Sequence, residues 1–294
     1  CVLTSAGNLS CSALSLGIMF DQRTHPLYQK IKSLIAAGEL GHLSRISWTI
    51  TNWFRPDAYY KTGSWRATWK GEGGGVLINQ CPHNLDLLLW TTGLMPSRIT
   101  AVGFTGKHHP IEVEDEVSAI LEYPASPTTQ DSETRPPGSV GAGGIVSGGG
   151  VPPIGHFITT TGEFPGSNRL EIAGSRGKLT AENNKLSFAR SRSDVLEFSR
   201  SATGPFATPE LWNIDIPVAA PPQSEHAAII ENFVQSIITH QPNDHLLAPG
   251  PDGLASLELG NAMLLAALTR IPTTLPLNPA TYDAFLESMA KRTP

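Results

Sequence analysis

Positive charge is scarce in this chain and nowhere clustered. Its 21 lysines and arginines stand against 26 acidic residues, for a formal net charge of −5. Phosphate backbones are bound by clustered cations, so the absence of a basic stripe argues against nucleic acid as a main partner. Cysteine is sparse too. Cys1, Cys11 and Cys81 form no C-x-x-C pair, which argues against a disulfide scaffold or a cysteine zinc site and for a reducing, cytoplasmic setting. No run is apolar enough to span a bilayer. Residues 1–20 are uncharged, yet they lack the basic start and continuous apolar stretch of a signal peptide. The sequon Asn8-Leu9-Ser10 is weak evidence the other way, because such short motifs match by chance. A start at Cys1 instead of Met reads as a fragment, a processed form or an imperfect gene model.

Familiar catalytic signatures are also missing. There is no P-loop, no G-x-S-x-G elbow and no H-E-x-x-H pair. The run Val140-Gly141-Ala142-Gly143-Gly144 fails as a dinucleotide fingerprint, because Val146 stands where the third glycine is needed and neither strand nor helix flanks it. His108-His109 reads as an exposed turn.

What is present is a foldable chain of 294 residues, 40% hydrophobic and 16% charged, enough for one large domain or two ordinary ones. Residues 15–20 read as a short buried strand ending at Asp21-Gln22-Arg23. A helix is expected over Leu27 to Leu40, where Ile31, Leu34 and Ile35 recur at helical spacing and Gly38 and Gly41 punctuate the end. Ser44 to Asn52 alternates Ile46, Trp48 and Ile50 with polar neighbours, a half-buried strand. An aromatic loop follows from Trp53 to Trp69, then a helix over Val76 to Thr92. Strands are expected near 99–104, 117–123, 156–161, 170–172, 178–180 and 186–189, and closing helices over 225–238 and 254–268. Residues 125–153 are rich in Pro, Ser, Thr and Gly and read as a disordered insertion within a hairpin. The order of elements predicts an α+β fold, an open, mostly antiparallel sheet covered on one face by helices.

The segment Gly73-Gly74-Gly75-Val76-Leu77-Ile78-Asn79-Gln80-Cys81-Pro82-His83-Asn84-Leu85-Asp86 carries the chemistry. At about 100° per residue Leu77, Cys81, Leu85 and Leu88 form one apolar stripe, with Asn79, His83, Asp86 and Trp90 on the opposite arc. One face thus packs on a sheet and the other presents an amide, an imidazole and a carboxylate. Asp86 is placed to orient His83 or raise its pKa. Pro82 is expected to break or kink the first turn. Spacing alone leaves His83 open between a structural and a catalytic role. The aromatics Trp53, Tyr59, Tyr60, Trp65 and Trp69 suit either sugar stacking or a packed loop, and Arg66 could hold a hydroxyl or carboxylate.

Several stretches together resemble the Gfo/Idh/MocA family of oxidoreductases. They are Gly17 to Arg23, Ile35 to Gly41, Gly73 to Asp86, Glu112-Val113-Glu114-Asp115-Glu116 and Thr161 to Arg169, in the right order along the chain. The resemblance implies a C-terminal substrate and oligomerisation domain over 24–294, with 1–23 the remnant of an N-terminal Rossmann domain. It implies NAD or NADP as cofactor and a sugar, polyol or related small molecule as substrate. It makes His83 the acid/base at the substrate oxygen. Asn79, Tyr60, Trp65, Arg66 and Asp86 would bind substrate, and Gln22 and Arg23 would face the cofactor. It also implies association through the free sheet face, at least as a homodimer. Asn79 stands where the family's D-x-x-x-H pattern often has aspartate, and asparagine cannot exchange a proton, so it would only position substrate. The family's glycine fingerprint and Glu-Lys-Pro motif should precede Leu16, where only fifteen residues stand and none is lysine. The expected function is therefore an oxidoreductase represented by its substrate-binding part and inactive alone. The rivals are a non-catalytic binding or regulatory protein on the same scaffold, and a redox-neutral isomerase or lyase using His83.

Overall fold

A computed structural model describes residues 15–125 and 151–291, together with 2–3 and 9–10. Two short strands, β1 (Val2–Leu3) and β2 (Leu9–Ser10), pair antiparallel with each other. The body is one sheet built from β3 (Leu43–Ile50), β4 (Arg98–Thr105), β5 (Glu114–Glu122), β6 (Ile154–Thr160), β7 (Asn168–Gly174), β8 (Gly177–Glu182), β9 (Lys185–Ser191), β10 (Leu211–Ile216) and β11 (Thr273–Thr274). Their order across it is β10-β9-β8-β7-β3-β6-β5-β4-β11. All neighbours run antiparallel except β3 and β6, which are parallel. The α+β reading therefore holds. The expected hairpin around the insertion is present as β5 against β6, in register from Glu116↔Thr160 to Glu122↔Ile154. Of the 125–153 segment, residues 126–150 lie outside the described residues.

Period-two alternation decides which sheet face is dry. Ile46, Trp48 and Ile50 of β3, Val117, Ala119 and Leu121 of β5, and Leu170 and Ile172 of β7 are all buried. Their alternate neighbours Val102, Phe104, Ile120 and Ile158 stand exposed on the other face. The dry face is covered by helices α1 (Pro26–Ala36), α3 (Pro82–Thr92), α6 (Gly250–Thr269) and α7 (Pro279–Lys291), whose apolar residues share one core with it. Gly103 permits the close approach of α6, since a Cβ there would stand 2.9 Å from that of Ala267. Helices α2 (Asp57–Tyr60), α4 (Val195–Ser201) and α5 (Glu225–Ile238) lie in or after loops. Among the described residues no helix is long and apolar enough to cross a membrane.

Several expectations need correction. Residues 15–20 form no strand: a single bridge, Gly17↔Pro249, joins them to the chain before α6, and Leu16 is exposed. A strand needs a ladder, and here, among the described residues, the cross-chain backbone bonds run through Ile18 N to Ala248 O and Gly250 N to Leu16 O. Helix α1 stops at Ala36, not Leu40, because Gly38 takes a left-handed φ of +71°. The elements α2, α4, β10 and α7 were not expected. His108 does lie in an exposed bend, but His109 does not. The His109 ring is buried against Tyr60, with Nδ1 3.0 Å from Asp57 and Nε2 3.3 Å from the Thr161 carbonyl.

Candidate active site

The site begins at a break in the chain's best helical pattern. A π-helical turn, Val76–Gln80, is separated from α3 by Cys81. Pro82 opens α3 at its first position, where the missing N–H loses no intrahelical bond. The break expected at Pro82 is thus real, and so is the apolar stripe: Leu77, Cys81, Leu85 and Leu88 are all buried. The Cys81 thiol, wholly enclosed beside Thr159, is pushed up to about 12 by burial, which keeps it an unreactive apolar group.

Glu114 of β5 sets the entry to the π turn. Its carboxylate is fully buried and accepts from the backbone N–H groups of Gly75 (2.8 Å) and Leu77 (3.1 Å). Burial pushes it up to about 7, against the pull of those hydrogen bonds. Gly75 is required at that contact, because a Cβ there would fall 2.0 Å from the Glu114 carbonyl oxygen.

His83 stands in the first turn of α3 with its side chain 36% exposed. Its partner is not the one that helical spacing suggested. Asp86 is 2% exposed, and both its oxygens are taken by Arg23, at 2.9 Å from Nε and 2.5 Å from Nη2. The remaining Arg23 donors reach Asp252 (2.6 Å) and the Leu247 carbonyl (2.7 Å). Asp86 and Arg23 thus satisfy each other and tie residues 20–24 to α3, which leaves neither free for substrate or cofactor. The carboxylate facing His83 is Asp21, which opens a 3-10 turn (Asp21–Thr24). Asp21 Oδ1 lies 3.5 Å from His83 Nδ1, and Oδ2 lies 3.1 Å from Nδ1 of His226 in the first turn of α5. The Phe20 ring meets that of His83 edge-on, 6.3 Å between centroids. Sequence reasoning missed Asp21 and His226, since nothing local links them to α3.

Asn79 sits in a second polar group. Its Oδ1 accepts from the Tyr59 hydroxyl (3.0 Å) and from Gln80 Nε2 (2.7 Å), and its Nδ2 donates to Glu72. Arg66 donates to the Tyr59 hydroxyl (2.7 Å), and its guanidinium lies 4.6 Å from the ring centroids of both Tyr59 and Trp65. Trp65 is half-exposed, whereas Trp69 is core. Tyr60 turns away, donating to Thr161 Oγ1 (3.0 Å) and packing on His109. The expected substrate residues therefore divide: Arg66, Trp65 and Asn79 gather around Tyr59, while Tyr60 and Asp86 serve other contacts. Glu72 and Gln80 were missed as members: Gln80 adjoins Asn79 in sequence but carries no motif, and Glu72 and the loop aromatic Tyr59 are brought to Asn79 only by the fold of the loop.

A cleft of about 660 Å³ opens between residues 16–20, the start of α3 and the first half of α6. Its walls include Leu16, Ile18, Phe20, Ile78, Pro82 and Leu257, so it is apolar and reaches the residues flanking His83. Among the described residues no group of three or more His, Cys, Asp or Glu could hold a metal ion.

Residues 28–138 match the family model for the GFO/IDH/MocA C-terminal domain. Over 96 residues the chain is 27% identical to "Putative oxidoreductase YteT" of Bacillus subtilis, a match spanning 32% of this chain and 21% of that protein. The fold resembles the WlbA dehydrogenase of Chromobacterium violaceum, solved with NADH and UDP-GlcNAcA, at 22% identity and a TM-score of 0.61, covering 90% of this chain and 64% of that one. It also resembles the aldose-aldose oxidoreductase of Caulobacter crescentus, solved with glycerol, at 17% identity and a TM-score of 0.62, covering 89% and 64%. The chain thus spans under two thirds of the length of these solved relatives.

Proposed function

We infer an NAD(P)-dependent oxidoreductase acting on a sugar, polyol or related hydroxyl or carbonyl compound, in line with the match of residues 28–138 to the GFO/IDH/MocA C-terminal domain model. The observation that carries the reading is His83, a partly exposed imidazole at the head of α3 with a sheltered carboxylate behind it. An imidazole titrates near neutrality and can give or take a proton at a substrate oxygen. The stack of Trp65, Arg66 and Tyr59 supports a sugar-like ligand, since it offers flat apolar faces beside hydrogen-bonding groups.

The described residues do not fit a dinucleotide. The glycine triplet enters a π turn, and two of the backbone N–H groups there already serve Glu114. Arg23, the cation expected at the cofactor, is 3% exposed and engaged by Asp86 and Asp252. The pyrophosphate site belongs, in this reading, to a separate dinucleotide-binding domain, and the apolar cleft along residues 16–20 is the surface it would cover. Calorimetric titration of this chain with NADH and NADPH should accordingly give millimolar affinity or weaker. A micromolar Kd, equivalent to about −8 kcal/mol, would overturn the assignment of the nucleotide to another domain.

Association through the open sheet face is part of the same reading. Val102, Phe104, Ile120 and Ile158 stand exposed there, beside a charged lattice in which Glu171 accepts from Arg45, Arg169 and Lys178. Burial alone would raise the Glu171 carboxyl, but those three cations hold it down to about 2. A second copy would bury the apolar half of this face. Light scattering should report at least a dimer at micromolar concentration, and a monomer mass would count against it.

A further inference from the structure

We propose that Asp21 is the positioning residue of His83, holding the ring in the tautomer that carries its proton on Nδ1 and leaves the Nε2 lone pair toward the substrate. The inference rests on the acid/base role of His83 and adds to it the group that sets its direction of proton transfer.

Asp21 Oδ1 and His83 Nδ1 are both shut off from solvent, and neither makes a hydrogen bond. They lie 3.5 Å apart. Buried polar groups are nearly always satisfied, and for these two the available partner is each other. One tautomer satisfies both, with Nδ1–H facing the carboxylate. The other would set the Nδ1 lone pair against an anionic oxygen, two acceptors with no proton between them. Contacts of this kind are commonly long in unliganded sites and tighten when substrate binds. Which ring nitrogen is protonated is set by the partner of the other.

The surroundings leave Asp21 suited to this task. Its second oxygen is met by His226 Nδ1 at 3.1 Å, from a ring that is 72% exposed, so Oδ1 stays directed at His83. The Thr24 hydroxyl donates to the Asp21 backbone carbonyl (2.7 Å) and steadies the turn without occupying the carboxylate. The neighbouring cation, Arg23, is turned to Asp86 and Asp252. The Phe20 ring, next to Asp21 in the chain, meets the His83 ring edge-on.

Long-range nitrogen-15 NMR of the imidazoles reads the tautomer directly, on this chain and without substrate or nucleotide. The His83 signals are assigned by their loss in His83→Gln. At mildly alkaline pH, His83 should show a protonated Nδ1 and an unprotonated Nε2. Asp21→Asn should shift it to the Nε2–H form, with the amide fingerprint spectrum confirming an intact fold. A wild-type His83 protonated on Nε2 would overturn the proposal even if Asp21→Asn fails to fold. So would an Nδ1–H form that survives the substitution. Neither outcome depends on turnover or nucleotide binding, so failure here is separable from failure of the oxidoreductase reading.

Discussion

His83→Ala is expected to lower kcat by about 10²–10⁴-fold, the usual worth of a positioned acid/base, in a form of the protein completed with a dinucleotide-binding domain and assayed on polyols or nucleotide sugars. KM should change far less, because the imidazole acts where the proton moves and contributes little to ground-state binding. Asn79→Ala should act more weakly and mainly on KM, since an amide whose groups are held by Tyr59, Gln80 and Glu72 can shape the site but not exchange protons. His83 is partly exposed at a helix start, so its loss should leave the unfolding curve nearly in place. Near-normal turnover by a well-folded His83→Ala protein would sink the catalytic assignment and favour a binding protein on the same scaffold.

The second large effect is on stability. Asp86→Ala should cost about 3–5 kcal/mol, as removal of one partner of a buried ion pair does. Arg23 would keep Asp252 and the Leu247 carbonyl, which argues for the lower end of that range. The two hydrogen bonds to Asp86 would be lost, and a guanidinium 3% exposed would remain. Replacing both partners together, as Arg23→Met with Asp86→Leu, should recover much of the loss, because two apolar groups need no compensation. Urea unfolding of the single and double variants decides it. A loss below about 1 kcal/mol for Asp86→Ala would show that the pair contributes little. The pair also anchors the 3-10 turn that presents Asp21, so a destabilised variant should show a disordered His83 environment as well.

Much of the architecture follows from local pattern. Ile46, Trp48 and Ile50 alternate with polar residues, and so do Val117, Ala119 and Leu121, and in each strand the burial follows that alternation. The stripe of Leu77, Cys81, Leu85 and Leu88 and the break at Pro82 are equally local, because side-chain period and the missing proline N–H act within one turn. His83 could be singled out for the same reason: it stands on the face of that helix opposite the stripe. The peripheral elements were less legible. The short helix α2 and edge strand β10 carry little burial to imprint a period, and α7 begins after a proline-rich stretch.

Sequence alone determined the sheet's faces and the place of His83 on its helix, since each depends on residues within a few positions of one another, and the two alternating runs flanking the Pro/Gly-rich segment pointed to the β5–β6 pairing. The tertiary structure decided what His83 and Asp86 face. Helical spacing put Asp86 beside the imidazole, but Arg23, 63 residues away along the chain, takes both its oxygens. A buried carboxylate goes to the strongest bidentate donor within reach, and only the packed fold brings that donor there. With Asp86 engaged, the sheltered face of His83 meets Asp21, a residue that no periodicity within α3 could have indicated.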